Sequence, residues 1–287
     1  MEEPGALMAR SIFGVDPLDD FAVLVADCIW EHCRNLSDIE IEAKIGLLID
    51  RNTNERLRLP VYTETVVDAK QLGLRFESNM TMEQHRCFNQ LLNHVVAFTA
   101  SMPPEERVTY RHQREVDYFY DERIPGSGNV VHLRVTRDAV TEQIKPGGVV
   151  AKKRIADINV YAPNRPFDYR ISINTETPMP PPREGNEPTF VREKDRLSYT
   201  HQNINVDLTQ VLLPNRVRAP DLSQPREPVH ELEVEIRNTV DLMQHAHYYR
   251  GQNNSATQDW TPFEDMIMIL LNNVRLLIRY VRCKPRD

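Results

Sequence analysis

The sequence predicts an α+β protein, an antiparallel β-barrel with helices packed outside it. Between residues 38 and 236 most of the chain falls into short runs in which apolar and polar side chains alternate, as on strands with two unlike faces. Turn signals punctuate those runs, and strands in such succession build barrels. Helical spacing of apolar residues is confined to segments near the two ends and around residues 81–101.

The elements follow in order. The run 16–34 reads as a helix, with Asp16 as N-cap, Pro17 in the first turn and Phe21, Leu24, Val25, Cys28 and Ile29 on one face. Strands are expected at 38–49 and 61–67. A helix over 81–101 opens with a capping box, Thr81 and Gln84, and stops at Pro103-Pro104. Strands then follow at 107–113, 114–121, 130–138, 140–145 and 149–161, with GSG (126–128) as a hairpin turn and KPGG (145–148) as another. Further strands are expected at 167–176, 191–201, 204–212 and 229–236. A Pro-rich loop covers 177–189, a short helix 241–249, and a C-terminal helix about 262–283. The Pro-rich loop lies within the strand series, so a single domain over 1–287 is expected.

Composition narrows the function. With 42 acids against 35 bases the net charge is −7, which argues against non-specific binding to long duplex DNA but permits a local basic pocket. Cys28, Cys33, Cys87 and Cys283 form no CxxC pair and read as reduced thiols. The opening residues lack the pattern of a secretory signal. The apolar run 266–281 is broken by Asn272, Asn273, Arg275 and Arg279, so no membrane association is expected.

Two strands carry the sharpest signal. In DIEIEAKIG (38–46), Ile39, Ile41, Ala43 and Ile45 alternate with Glu40, Glu42 and Lys44. In HELEVEI (230–236), Leu232, Val234 and Ile236 alternate with Glu231, Glu233 and Glu235, and the polar face has no neutral member apart from His230. Rows of like charge repel along and across strands. A hard divalent cation such as Mg²⁺ or Mn²⁺, which prefers carboxylate oxygens, would relieve that repulsion. Other strands carry bases. VREKDRLSY (191–199) puts Arg192, Lys194 and Arg196 on one face, LRVTRD (133–138) offers Arg134, and AKKRI (151–155) offers Lys152. FDYRISINTE (167–176) aligns Asp168, Arg170, Asn174 and Glu176, and NINVDLTQV (203–211) aligns Asn205, Asp207 and Thr209. Two packings are open. Either the apolar face fills the barrel and the charges meet solvent, or the charges line the bore and the apolar face meets the helices.

In this order, the motifs DIEIEAKIG, RVTRD, AKKRI, FDYRISINTE, REKDRLSYTH, VDLTQV and HELEVEI resemble those of the fungal-type metal-dependent mRNA 5′-triphosphatases, capping enzymes of the triphosphate tunnel superfamily. The resemblance implies a closed eight-stranded antiparallel tunnel with a polar interior. It also implies hydrolysis of the γ-phosphate of triphosphate-ended nascent mRNA, the first step of cap formation. Its metal ligands match Glu40, Glu42 and Glu235, for Mg²⁺ or Mn²⁺. Glu231 and Glu233 match companion acids, Glu176 the glutamate that organises the attacking water, and Asp207 with Thr209 a supporting pair. Arg134, Lys152, Arg170, Arg192, Lys194 and Arg196 fall at basic, phosphate-contacting positions, and Asp117 at a further tunnel acid. Asn205 stands where an arginine is expected. The only tryptophans are Trp30 and Trp260, so no Trp-rich segment marks a docking site for an RNA guanylyltransferase. His201, His230 and HAHYY (245–249) read as structural, because imidazole suits a hard-oxygen metal site poorly. The resemblance further implies a homodimer, a nuclear location and a partner in the capping or transcription machinery. Competing readings are a tunnel hydrolase of tripolyphosphate, thiamine triphosphate or nucleoside triphosphates, a non-catalytic scaffold for RNA ends or transcription, and a structural barrel with its acids in solvent.

Overall fold

The computed structural model describes residues 19–123, 130–216, 228–251 and 261–281. Helix α1 (Asp20–Cys33) leads into β1 (Ile39–Asp50), β2 (Thr65–Val67), β3 (Leu74–Glu77) and α2 (Met82–Thr99). Strands β4 (Thr109–Arg123), β5 (Val130–Asp138), β6 (Ile144–Tyr161), β7 (Asp168–Pro178), β8 (Phe190–His201), β9 (Ile204–Arg216) and β10 (Pro228–Ile236) follow, then helices α3 (Thr239–Arg250) and α4 (Pro262–Tyr280).

Eight of the strands close on themselves. The order β10-β9-β8-β4-β5-β6-β7-β1 is antiparallel throughout, and β1 then pairs with β10. The closing register sets Glu42 opposite Glu235 and Lys44 opposite Glu233. β1 is long enough to serve two neighbours on that edge, β10 through residues 42–44 and β3 through residues 47–50. β2 extends the sheet beside β6.

Burial settles which face is inside. Ile41, Ala43, Ile45, Ile171, Ile173, Leu208, Leu232 and Val234 have no solvent exposure, and they join one cluster with Val25, Ala26 and Ile29 of α1 and Ile267, Leu270, Leu271 and Val274 of α4. The apolar face therefore points outward onto the helices, and the charged face lines the bore. Each such Val, Leu or Ile side chain contributes about 1.5–3 kcal/mol on burial, which favours helices covering the barrel. α4 starts on a capping box, with the Thr261 side chain and Glu264 reciprocally bonded and Pro262 in the first turn.

Several boundaries differ from the sequence reading. α1 is capped by Asp19, whose carboxylate accepts from Ala22 N at 3.0 Å; Asp16 and Pro17 lie outside the described residues. So do GSG (126–128), Trp260 and Cys283. The expected strands 107–113 and 114–121 are one strand, β4, because no turn residue interrupts them. The expected strand 61–67 shortens to β2, and β3 was not foreseen. The expected strand 140–145 and turn KPGG exchange roles. The chain reverses over 139–143, where Asp138 accepts from Val140 N and Thr141 N at 3.0 and 2.8 Å. KPGG lies inside β6, at a register shift against β5. Gly147 has φ +67°, and a Cβ on Gly148 would sit 2.8 Å from the Thr136 carbonyl oxygen, so these glycines make a bulge.

His230 belongs to the outer row of β10 with Leu232, Val234 and Ile236, correcting its assignment to the acidic face. Alternation of period two demands this, since 230 and 232 share parity. Its ring lies 4.8 Å from that of His85 on α2, and both Nε2 atoms are buried without a hydrogen-bond partner. Burial, aided by His230, pushes His85 down to about 4 from its ordinary 6.5. Between those values the folded protein binds fewer protons than the unfolded chain, so stability falls as pH drops through that window. Replacing His85 by leucine should flatten the urea-midpoint profile between about pH 6.5 and pH 4, and an unchanged slope would show that the imidazole is hydrated in the folded state.

Candidate active site

Inward side chains from all eight barrel strands define a charged bore. Its central cavity, of about 460 Å³, is lined by Glu40, Glu42 and Lys44 of β1, Glu115, Asp117 and Phe119 of β4, Arg134 of β5, Lys152 of β6, Glu176 of β7, Arg192, Lys194 and Arg196 of β8, and Glu233 and Glu235 of β10. β9 contributes Asp207 and Thr209 beneath them, both buried.

On one wall stand the acids. Glu40 ion-pairs with Lys152, which also lies 3.7 Å from Glu42 and 3.4 Å from Glu176. Asn174 donates to both Glu40 and Glu42, at 2.9 and 3.2 Å. Burial, then Glu42 and Glu176, raise Glu40 to about 7 even against Lys152. Glu235 has no counter-ion among the described residues. Burial and then Glu40, Asp207, Glu233 and Glu42 push its carboxyl up to about 8. A lone carboxylate crowded by four others marks a place where positive charge is missing.

The opposite wall is better balanced. Lys194 lies 2.9 Å from Asp117 and 3.2 Å from Glu115, and Lys145 also reaches Glu115. Burial opposes ionisation of Glu115, but Lys194 and Lys145 hold its carboxyl down to about 2. Arg196 pairs with Asp207 at 2.9 Å, Arg192 with Glu231 at 2.9 Å, and Arg134 with Glu176 at 2.9 Å. On the acidic side, Lys44 of β1 pairs with its register neighbour Glu233 of β10, and with Arg196 it outweighs burial to keep that carboxyl well below its ordinary range. The arginines keep unused capacity: the Nε groups of Arg134, Arg192 and Arg196, like the Thr209 hydroxyl, are buried without a hydrogen-bond partner. Buried guanidinium donors left unmatched beside a cavity of this size are acceptor-seeking groups suited to phosphate oxygens.

The structure thus gathers most of the residues singled out from the sequence. Glu231 and Asp207 do not line the central cavity; they brace Arg192 and Arg196. Arg170 is displaced from it as well. Its guanidinium lies 4.8 Å over the Phe76 ring and 3.6 Å from Asp157, because β3, unseen in the sequence, brings Phe76 against the bore at Gly46. Asn205 donates to Asp207 at 3.0 Å, so a neutral amide steadies the carboxylate where an arginine was expected. Glu115, Phe119 and Lys145 were missed. The alternation Glu115, Asp117 in β4 carried the same signal as the glutamate strands, whereas Lys145 enters through the bulge that reads as a turn.

A divalent cation in the bore would meet carboxylates of β1 and β10. Among the described residues no three His, Cys, Asp or Glu side chains are grouped as a finished metal cage, since Glu40 and Glu42 are turned onto Lys152 and Asn174. The chemistry nevertheless fits. Every candidate donor is a carboxylate oxygen, Glu42 and Glu235 face each other in register, and Glu235 stands uncompensated.

A closed antiparallel barrel with a bore of opposed acidic and basic walls defines the triphosphate tunnel class. The family model for the mRNA capping enzyme beta chain matches residues 15–283. The chain belongs to that family. It is 35% identical over 243 residues to the mRNA-capping enzyme subunit beta of Schizosaccharomyces pombe, covering 84% of this chain and 74% of the relative. The solved structure of the S. pombe Pct1 RNA triphosphatase superposes with a TM-score of 0.82 at 30% identity, covering 98% of this chain and 100% of that one. The structure of Pct1 in complex with the Spt5 CTD matches with a TM-score of 0.81 at 30% identity, covering 96% and 100%.

Lys194 is the hub of the basic wall. Replacing it by methionine leaves Asp117 without an ion pair among the described residues and Glu115 paired with Lys145 alone, and should cost about 3 kcal/mol of unfolding free energy in urea. A loss below about 1 kcal/mol would show that water already screens these charges.

Proposed function

We propose that this chain removes the γ-phosphate from triphosphate-ended nascent mRNA, as an RNA 5′-triphosphatase dependent on Mg²⁺ or Mn²⁺. The observation that carries the reading is that one enclosed bore holds both a raised, unpaired glutamate and buried arginine donors without partners. The charge deficit of the acidic wall suits a cation, and the idle donors opposite suit phosphate oxygens. A metal-bound oligophosphate satisfies both at once.

In this reading Glu40, Glu42 and Glu235 would hold the cation, which supplies charge neutralisation at the γ-phosphoryl oxygens. Glu176 orients a water for in-line attack. Arg134, which grips Glu176 with both carboxylate oxygens at 2.9 and 3.0 Å, fixes that orientation. Lys152, already between Glu40 and Glu176, is placed to follow the phosphate charge. Lys194 and Arg196 neutralise the charge that shifts toward the β-phosphate as the bond breaks, and Arg192 steadies the rest of the chain of phosphates. Glu231, Glu233 and Asp207 hold Arg192, Lys44 and Arg196 in place. Phosphoryl transfer of this kind relies on position and electrostatics, so no side-chain nucleophile is required.

The biological setting follows from the family. Capping acts on transcripts as they are made, which supports a nuclear location. The solved complex of Pct1 with the Spt5 CTD supports a partner in the transcription machinery. A homodimer is proposed on the apolar side chains left exposed on the helices, Phe98 of α2 and Ile269 and Tyr280 of α4.

The test is release of radiolabelled γ-phosphate from a triphosphate-ended transcript, with EDTA as control. Glu40→Ala and Glu235→Ala should each abolish metal-dependent release while the far-ultraviolet circular dichroism stays unchanged. Retained turnover in either variant would remove it from the cation site. Arg196→Ala should lower kcat by about 10²–10³-fold without weakening metal binding, the size expected when one preorganised charge is withdrawn from a transition state. Faster hydrolysis of inorganic tripolyphosphate than of RNA ends would favour the general oligophosphatase instead.

A further inference from the structure

One inward position breaks the charged pattern of the bore. The inward row of β4 reads Glu115, Asp117, Phe119 and then the exposed Asp121. Phe119 is the only aromatic side chain among the described residues lining the central cavity. On the neighbouring strand the inward row reads Lys194, Arg192, Phe190, and Phe190 lies opposite Phe119 in register. The two rings are stacked 4.2 Å apart and 2° from parallel. On its other side Phe119 faces Arg134 of β5. Burial falls along the row: Glu115 and Asp117 are almost fully enclosed, Phe119 and Phe190 are half-buried, and Asp121 is exposed. The ring pair therefore stands at a mouth of the bore, level with Arg134 and one step beyond Arg192.

An apolar plug would be a costly choice among ionised neighbours, which gain nothing from it. A flat, half-buried aromatic face next to phosphate-binding arginines has a specific use, since every nucleobase presents a π-face and stacks with little regard to sequence. Resting on the triphosphatase reading of the bore, we propose that Phe119, backed by Phe190, forms a stacking platform for the first nucleobase of the RNA. With the phosphates drawn inward past Arg192, the attached nucleoside reaches the mouth beside Arg134, where the rings receive its base. The platform would make the enzyme favour a nucleotide-ended triphosphate over bare tripolyphosphate without selecting one base. Phe119 acts here as a specificity-determining residue and takes no part in bond breaking. Phe190 positions it.

The experiment compares kcat/KM on two triphosphate-ended transcripts, one intact and one whose first nucleotide lacks its base. In the wild-type protein the abasic substrate should be poorer by roughly five- to a hundredfold, the range measured for loss of one stacked base. In Phe119→Leu that gap should close to within about twofold, and Phe119→Trp should restore it. Equal turnover of both substrates by the wild type overturns the platform, as does a gap that persists in Phe119→Leu. The wild-type arm needs no variant to fold. Turnover of tripolyphosphate with no base effect defeats the platform alone, whereas release of phosphate from neither substrate defeats the reading of the bore and the platform with it.

Discussion

Compensation of buried carboxylates governs this molecule. Eight strands turn their charged faces toward one another, and the bore they enclose has to neutralise acids from β1, β4, β7, β9 and β10. Most of them find a base on an adjacent strand or the next but one: Glu233 finds Lys44, Asp207 finds Arg196, Glu231 finds Arg192, and Glu115 with Asp117 share Lys194. These pairs contribute little net stability, because desolvation offsets their attraction, but breaking one strands its partner. They work as a scaffold that fixes long, flexible bases in known places. The imbalance that remains is largest at Glu40 and Glu235.

Closure and helices make the deficit possible. The register that sets Glu42 against Glu235 brings the two glutamate strands together although nearly two hundred residues separate them in sequence. Like charges in register oppose strand pairing, so something must press these strands together. The outward row does so. Ile41, Ala43 and Ile45 of β1 and Leu232, Val234 and Ile236 of β10 are sealed under α1, α2, α3 and α4 in one continuous core. An ordinary barrel spends its apolar residues on the interior. This one moves the apolar core outside and leaves a bore lined by charged side chains.

Much of this was legible in the sequence. Alternation fixed which residues share a face on β1, β7, β8, β9 and β10, and two acidic faces without diluting neutral residues pointed to a cation. Alternation is silent about which face lies inside, and only the helices' need for an apolar surface, met by the observed burial, decides it. Other failures were local. KPGG has the composition of a turn, but the carboxylate of Asp138 captures the reversal a few residues earlier and leaves the glycines to form a bulge. Arg170 has the right parity for the bore, yet it is drawn onto Phe76 by a four-residue strand that carries no clear pattern of its own. Asn205 shows that a supporting ion pair can be replaced by a neutral hydrogen bond when the carboxylate it steadies already has an arginine.

In the proposed function, the positive charge missing from the acidic wall is a divalent metal ion held between Glu40, Glu42 and Glu235. Anomalous scattering from crystals soaked in Mn²⁺ tests it most directly. A single strong peak inside the bore, within bonding distance of all three carboxylates and with Lys152 turned aside, is the expected result. A peak on the outer surface, or a bore in which Lys152 keeps its place between Glu40 and Glu176 at saturating Mn²⁺, would contradict it.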